Sequence, residues 1–370
     1  MGGQLHVVTT SYPRHPTDFA GHFVAGSVEA LRSAGLAVRV WPVGSRGFGL
    51  AWGPADSLPE ALALTPLRTS IRASAVLLSL RARLSRALQP GDGVVAHWLP
   101  VALAVADLAP TLAWAHGGDV ALLESLPAGR TLARRLDGQA RALAFVSTDL
   151  RDRFTALLDR RPRAPQWLLP MGVPPPAPDP AFAEVLRQRA GGRRIVATVG
   201  RLVPIKGLDV LAHALHRGGH TAKTLVWWAA GEGPEAARLA QISSCFEGLG
   251  VLTPAQRDAL LQVADVFVLP SRPVGRRVEG TPVALLEALR SGVPSIASAT
   301  GGVTALATAA QAVLVPPDDP LGLATAVAAI LGDAPRAEAM GAAHRAAADR
   351  FAWSTQGPDH AAAAQRTLGR

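Results

Sequence analysis

The stretch DVFVLPSRPVGRRVEGTPVALLEALRSGVPSIAS, residues 265–298, carries the reading that decides the fold. Its two ends, 266–269 and 294–298, have strand length, and the apolar run VALLEAL between them suits a helix. Thr281 is expected as the N-cap, Pro282 as the first helical residue and Gly292 just past the last turn, which brackets a helix over 282–291. A strand, a crossover helix and a second strand within so short a span form the unit of a parallel sheet.

The same rhythm runs in both directions. Towards the C-terminus it gives strand 312–315 with helices 303–309 and 320–331; towards the N-terminus it gives strands 194–199 and 224–229 with helices 207–215 and 234–241. GVPPPAPDP, residues 172–180, interrupts it, because five prolines in nine positions sustain neither a helix nor a central strand. That segment reads as an interdomain linker. Ahead of it, strands are expected at 4–10, 36–43, 93–97, 111–115, 143–146 and 166–169, with a helix from His22 to Ala34 closed by Gly35. The expectation is an α/β chain of two parallel-sheet domains, 1–175 and 176–350, which 370 residues accommodate.

In open parallel sheets ligands bind beyond the carboxyl ends of the strands, so the loops that follow strands are the place to look for chemistry. After strand 194–199 comes GRLVPIKG, residues 200–207, with two cations and two glycines around a helix start, where free backbone N–H groups favour an anion. One of the chain's two lysines, Lys206, stands there. After strand 224–229 comes AGEGPEA; its GxGxxA spacing superficially suggests a dinucleotide fingerprint, but a lone match is weak, and Pro234 more simply marks a first helical position. Glu279 precedes the helix at 282–291 and Glu287 interrupts its apolar run. A carboxylate buried there costs several kcal/mol unless hydrogen-bonded. Ligand hydroxyls would supply those bonds; pairing with Arg290 on a solvent face is the alternative. In AWAHGGDV, residues 113–120, His116 follows an apolar strand directly and precedes two glycines. Arg276 and Arg277 read either as phosphate contacts or as a solvated pair.

Composition excludes several classes. The net charge is +9, yet apart from Lys206 and Lys223 the other 35 basic residues are Arg, so the basicity looks like a coding bias. Basic clusters interleaved with aromatics, which nucleic-acid binding requires, are missing. No run approaches the roughly 18 apolar residues of a membrane span, the N-terminus lacks the features of a secretory signal, and the single cysteine, Cys245, forms no internal disulfide. The plain expectation is a cytoplasmic protein. One segment qualifies it. Residues 66–88, PLRTSIRASAVLLSLRARLSRAL, set Arg68, Arg72, Arg81, Arg83 and Arg86 beside Leu67, Ile71, Leu77, Leu78, Leu84 and Leu88 at helical spacing. This reads either as an ordinary core helix or as a basic amphipathic contact with the inner face of a membrane.

The runs GRLVPIKGLDVLAHAL, GEGP, ADVFVLPS and EGTPVALLEALRSGVPSIASATGGV follow one another in the order and spacing of the family-4 retaining glycosyltransferases, exopolysaccharide-type group 1 enzymes included. TTSYPRHPTDFAGHF, WAHGGDV, FVSTDLRDRF and LLPMGVP extend the resemblance to nearly the whole chain. The pair Glu279 and Glu287 resembles that family's E-x7-E motif. The resemblance implies a GT-B fold, two Rossmann-like domains facing a cleft. The first would serve the acceptor and the second the nucleotide sugar, and a final helix over 351–370 would return to the first. It implies a retaining, hexosyl-type transferase of polysaccharide biosynthesis, with a nucleotide-sugar donor and a glycan or lipid-linked acceptor. Arg201 and Lys206 would stabilise the leaving diphosphate. Glu279, Gly280 and Thr281, with Pro282 behind them, would hold the transferred sugar, Glu287 the ribose, and His116 the donor sugar from the first domain. Gly200, Gly301 and Gly302 would allow close approach to the phosphates, as would Gly21 in the first loop, where Ala20 replaces the first glycine of a pair common in relatives. No D-x-D triplet occurs, so no metal and no cofactor are expected. A nucleotide-sugar epimerase of the same fold and a non-catalytic nucleotide-sugar-binding relative are the alternatives. An oxidoreductase would want its glycine fingerprint after the first strand, where TSYPRH stands instead.

Overall fold

The computed structural model describes residues 3–13, 21–43 and 66–369. They form two compact units, one of the described residues up to Gly172 together with those from Trp353 on, the other Val173–Ala352.

The first unit is built on a parallel sheet of β1 (Leu5–Thr9), β2 (Val38–Pro42), β3 (Gly93–His97), β4 (Thr111–Ala115), β5 (Ala142–Phe145) and β6 (Gln166–Leu168), in the order β2-β1-β3-β4-β5-β6. Every residue of β1, β3, β4 and β5 is buried, as befits strands whose two faces are both covered by helices. The helix Trp353–Thr367 belongs to this unit and packs along the helix His22–Ser33. Trp353 is its anchor. A Cβ on Gly26 or Gly172 would lie within about 2.5 Å of the indole, so both positions need glycine for the ring to seat.

The second unit contains β7 (Arg194–Val199), β8 (Leu225–Ala230), β9 (Phe246–Gly250), β10 (Val266–Leu269), β11 (Ser295–Ser298) and β12 (Val313–Val315), in the order β12-β11-β10-β7-β8-β9, all parallel. The chain winds outwards from β7 in one direction and from β10 in the other. The switch point, where α/β sheets bind ligands, therefore lies at the carboxyl ends of β7 and β10.

Two local readings need correction, and the alternative left open over residues 66–88 is narrowed for its later turns. The helix of the opening stretch runs Val283–Ser291 with Pro282 as N-cap, one residue later than expected, while Gly292 closes it at φ +74° as anticipated. Pro234 lies in the turn ahead of the helix Ala236–Ile242, and does not open it. In the helix Pro66–Ala87, Leu80 and Leu84 enter the core, Arg81 pairs with Asp107, and Leu78 is 65% exposed. Its later turns thus behave as a core helix with solvated arginines. The side chains of Leu67, Arg68, Ile71 and Arg72, which belong to the same pattern, lie outside the described ones. Among the described residues no helix is long and apolar enough to cross a membrane.

Candidate functional site

The loops at the switch point of the second unit hold the motif residues together. Gly200 leaves β7 at φ +141°, and the Lys206 side chain lies across it, with Cε 3.4 Å from where a Cβ would stand. The short 3-10 turn Pro204–Lys206 ends at Gly207, φ +60°, which is the N-cap of the helix Leu208–Arg217. A Cβ on Gly207 would stand 2.0 Å from the Pro270 carbonyl after β10. The KG dipeptide is thus the means by which one loop passes against the other. Lys206 Nζ donates to Glu279 Oε1 at 2.6 Å, and Ser271 Oγ donates to the same oxygen at 3.3 Å. Arg201 is exposed beside them.

The glycine pair after β11 serves the same packing. Gly301 begins the helix Gly301–Ala309 at φ +49°, and a Cβ there would stand 2.4 Å from the Glu279 carbonyl, to which Gly302 N–H donates at 3.0 Å. The close approach is thus made to the backbone that carries Glu279. Gly280 is buried, Thr281 half-buried and Pro282 buried in the following turn. The GEGP turn is accounted for in full by packing. A Cβ on Gly231 would lie 2.1 Å from the Gly200 carbonyl and one on Gly233 2.2 Å from that of Leu202. The GxGxxA spacing is a loop contact, with no dinucleotide role required.

Glu287 is buried, at 6% exposure, and its oxygen Oε1 accepts from Arg257 Nη1 at 2.5 Å. Arg290, the partner considered in the sequence, instead donates to the Val173 carbonyl. Arg257 was missed. The signal for its helix, Thr253-Pro-Ala-Gln256, was legible, and both bonds of that capping box are present.

In the first unit, His116 follows β4 as expected and is half-buried, its backbone N–H donating to Asp119. Asp119, fully buried, also accepts from the N–H groups of Leu99, Gly117 and Val120 and so fixes the GGD turn. Burial raises its pKa, and those N–H groups oppose the rise. His116 Nε2 stands 3.0 Å from Nδ1 of His97, whose ring stacks on Trp114. Behind them His360 bridges the Ser27 hydroxyl and the Pro170 carbonyl. Burial pushes His116 down to about 3 and His360 down to about 4, with His360 adding to the effect on His116; His97 is driven down by burial and by both neighbours. The three imidazoles are neutral at physiological pH. His97 ends an apolar strand but lacks the Gly-Gly turn that marks His116, so the sequence criterion did not reach it. Trp98, next to it, holds φ +94°, a strained value for a bulky residue at a strand's carboxyl end. Gly21, at φ +72°, is N-cap of the helix His22–Ser33, and a Cβ there would collide with the Ser11 carbonyl; Ala20 lies outside the described residues.

Each unit is thus a Rossmann-like sheet with its unusual residues at the carboxyl edge, and comparison with known proteins assigns the class. Residues 193–333 match the family described as Glycosyl transferases group 1. The chain is 30% identical over 384 residues, 95% of each chain, to a GDP-mannose-dependent alpha-(1-6)-phosphatidylinositol monomannoside mannosyltransferase of Mycolicibacterium smegmatis. It is 33% identical over 335 residues, 82% of this chain and 86% of the relative, to the protein of that name from Mycobacterium tuberculosis. In structure it resembles the sucrose-phosphate synthase of Thermosynechococcus elongatus, with TM-score 0.76, 18% identity and 99% of each chain covered. The fold is GT-B. The chain belongs to the group 1 glycosyl transferases and is a nucleotide-sugar-dependent glycosyltransferase.

Proposed function

We propose that this chain transfers a mannosyl residue from GDP-mannose to an inositol-containing glycolipid, with retention at the anomeric carbon and without a metal ion. The donor and the acceptor class rest on the relatives' names and on the extent of the likeness. The chemistry rests on one observation, the bond of Lys206 to Glu279 beside two helix starts at the switch point, with Arg201 lining the same pocket as Lys206. As the bond from C1 to the phosphate oxygen breaks, negative charge develops on the diphosphate. Arg201, Lys206 and the N–H groups of those helix starts are preorganised to receive it. Glu279 accepts hydroxyls of the mannosyl group and keeps Lys206 aimed. The acceptor hydroxyl attacks C1 on the face the diphosphate leaves, and its proton passes to the departing phosphate oxygen, so no side-chain base is needed.

The test is incubation of the purified chain with a panel of nucleotide sugars, a phosphatidylinositol mannoside and EDTA, with the product's anomeric configuration read by NMR. An α-mannoside formed from GDP-mannose in EDTA is the expected product. A β-linked product, or activity abolished by EDTA and restored by Mg²⁺, contradicts the mechanism; isomerised nucleotide sugar without transfer would make the chain an epimerase. A lipid acceptor also invites peripheral attachment through the exposed Leu78, Arg83 and Arg86. Binding to anionic vesicles should then fall with salt and on Arg83→Gln with Arg86→Gln, and absence of binding at low salt removes that surface from the account.

A further inference from the structure

Buried carboxylates seldom stand without a cation, and the one at Glu287 is held by a chain of partners that runs along the carboxyl edge of the second unit's sheet. Glu287 is the fifth of nine residues in the helix Val283–Ser291, and Arg257 lies in the first turn of the helix Pro254–Val263. A helix that connects parallel strands starts at the carboxyl edge, so Arg257 stands at the edge where ligands bind, and its bond to Glu287 brings that carboxylate with it.

Arg257 is itself held. Its Nε and Nη2 both donate to Asp258 Oδ1, at 2.9 and 2.7 Å, which leaves Nη1 for Glu287 at 2.5 Å. Asp258 Oδ2 accepts the Ala177 N–H at 2.9 Å. Glu287, Arg257 and Asp258 are all buried. The planar guanidinium is pinned along one edge and presents its remaining nitrogen to a single carboxylate oxygen. Lysine, a point charge on a flexible stem, would not reproduce that fork.

We infer that Arg257 is a positioning residue for nucleotide binding: it fixes Glu287 as an oriented acceptor for the hydroxyls of the donor's ribose, and Asp258 fixes Arg257. This rests on the reading of Glu287 as the ribose acceptor. A merely structural ion pair would affect every nucleotide alike, whereas a positioning pair acts through the ribose hydroxyls alone.

The experiment is calorimetric binding of GDP and of 2′,3′-dideoxy-GDP, with UDP and its dideoxy form in parallel, to the full chain. The wild type should prefer the ribonucleotide about ten-fold or more, the scale of hydrogen bonds to a charged group. Glu287→Gln and Arg257→Met should each bring that preference close to one while leaving dideoxynucleotide affinity within about two-fold. Should Arg257→Met fail to fold, Asp258→Asn releases the fork with Arg257 still present, and it should lose part of the preference. A wild type without preference overturns the reading of Glu287 and the inference with it. A preference abolished by Glu287→Gln but intact in Arg257→Met and Asp258→Asn overturns the inference alone.

Discussion

The two carboxyl edges of this molecule handle polarity in opposite ways. In the second unit the edge is charged. Lys206 pairs with Glu279, Arg257 with Glu287, and glycines at positive φ bring the loops after β7, β8, β10 and β11 into contact. In the first unit the edge presents neutral side chains, imidazoles stacked on one another and on Trp114, with Asp119 buried and taken up by backbone N–H groups and the buried His97 Nε2 without a partner among the described residues. A departing diphosphate needs cations and N–H dipoles, and a sugar needs neutral hydrogen-bonding groups and flat rings. On the function proposed above, the charged edge would receive the leaving diphosphate, with Glu279 on the sugar, and the neutral edge would offer a further sugar-binding face.

The largest effect that would break this contrast is on turnover. Lys206→Ala should lower kcat by roughly two to three orders of magnitude, the range for loss of one transition-state donor, with the melting temperature little changed. Near-normal turnover in a folded variant would remove the charged edge from the chemistry. Gly301→Ala should act on the same edge through packing. It forces a side chain into φ +49° and against the Glu279 carbonyl. It should therefore cost about 1–3 kcal/mol of stability in denaturant titrations and lower activity further by displacing Glu279. An unchanged midpoint would show that the helix start yields.

The neutral edge has a pH signature. His97, His116 and His360 are depressed in the folded state, to about 3 for His116 and about 4 for His360, while unfolded histidines titrate near 6.5. Below about pH 6.5 the unfolded chain takes up protons that the folded chain refuses, so their contribution to stability is complete above that pH and declines towards pH 4. Each group contributes at most about 1.4 kcal/mol per pH unit. Thermal melting between pH 7.5 and 5 should show the decline, and His116→Phe should flatten it. A melting temperature flat over that range would mean the imidazoles titrate normally.

The sequence showed the charged edge far more clearly than the neutral one, and the reason is spacing. Gly200 to Gly207 and Glu279 to Glu287 are local patterns, in which loop, cap and helix start lie within a few residues. The strands β7, β10 and β11 were legible because both sheet faces are covered and the runs are apolar. β9, FEGLG, was not, since it is a half-exposed edge strand with two glycines and a glutamate. The imidazole cluster draws on positions 97, 116 and 360, and only the turn around His116 has a local signature. Arg257 became visible as the partner of Glu287 only when two helices distant in sequence were placed side by side.

One binding measurement tests the contrast most directly, namely GDP affinity in EDTA for the wild type, Lys206→Ala and His116→Phe. GDP carries the charge and lacks the sugar. The account predicts metal-free binding that weakens ten-fold or more in Lys206→Ala, the scale of a charge-assisted hydrogen bond, and stays within about two-fold in His116→Phe. Binding that requires Mg²⁺, or an affinity lost in His116→Phe and retained in Lys206→Ala, would contradict it.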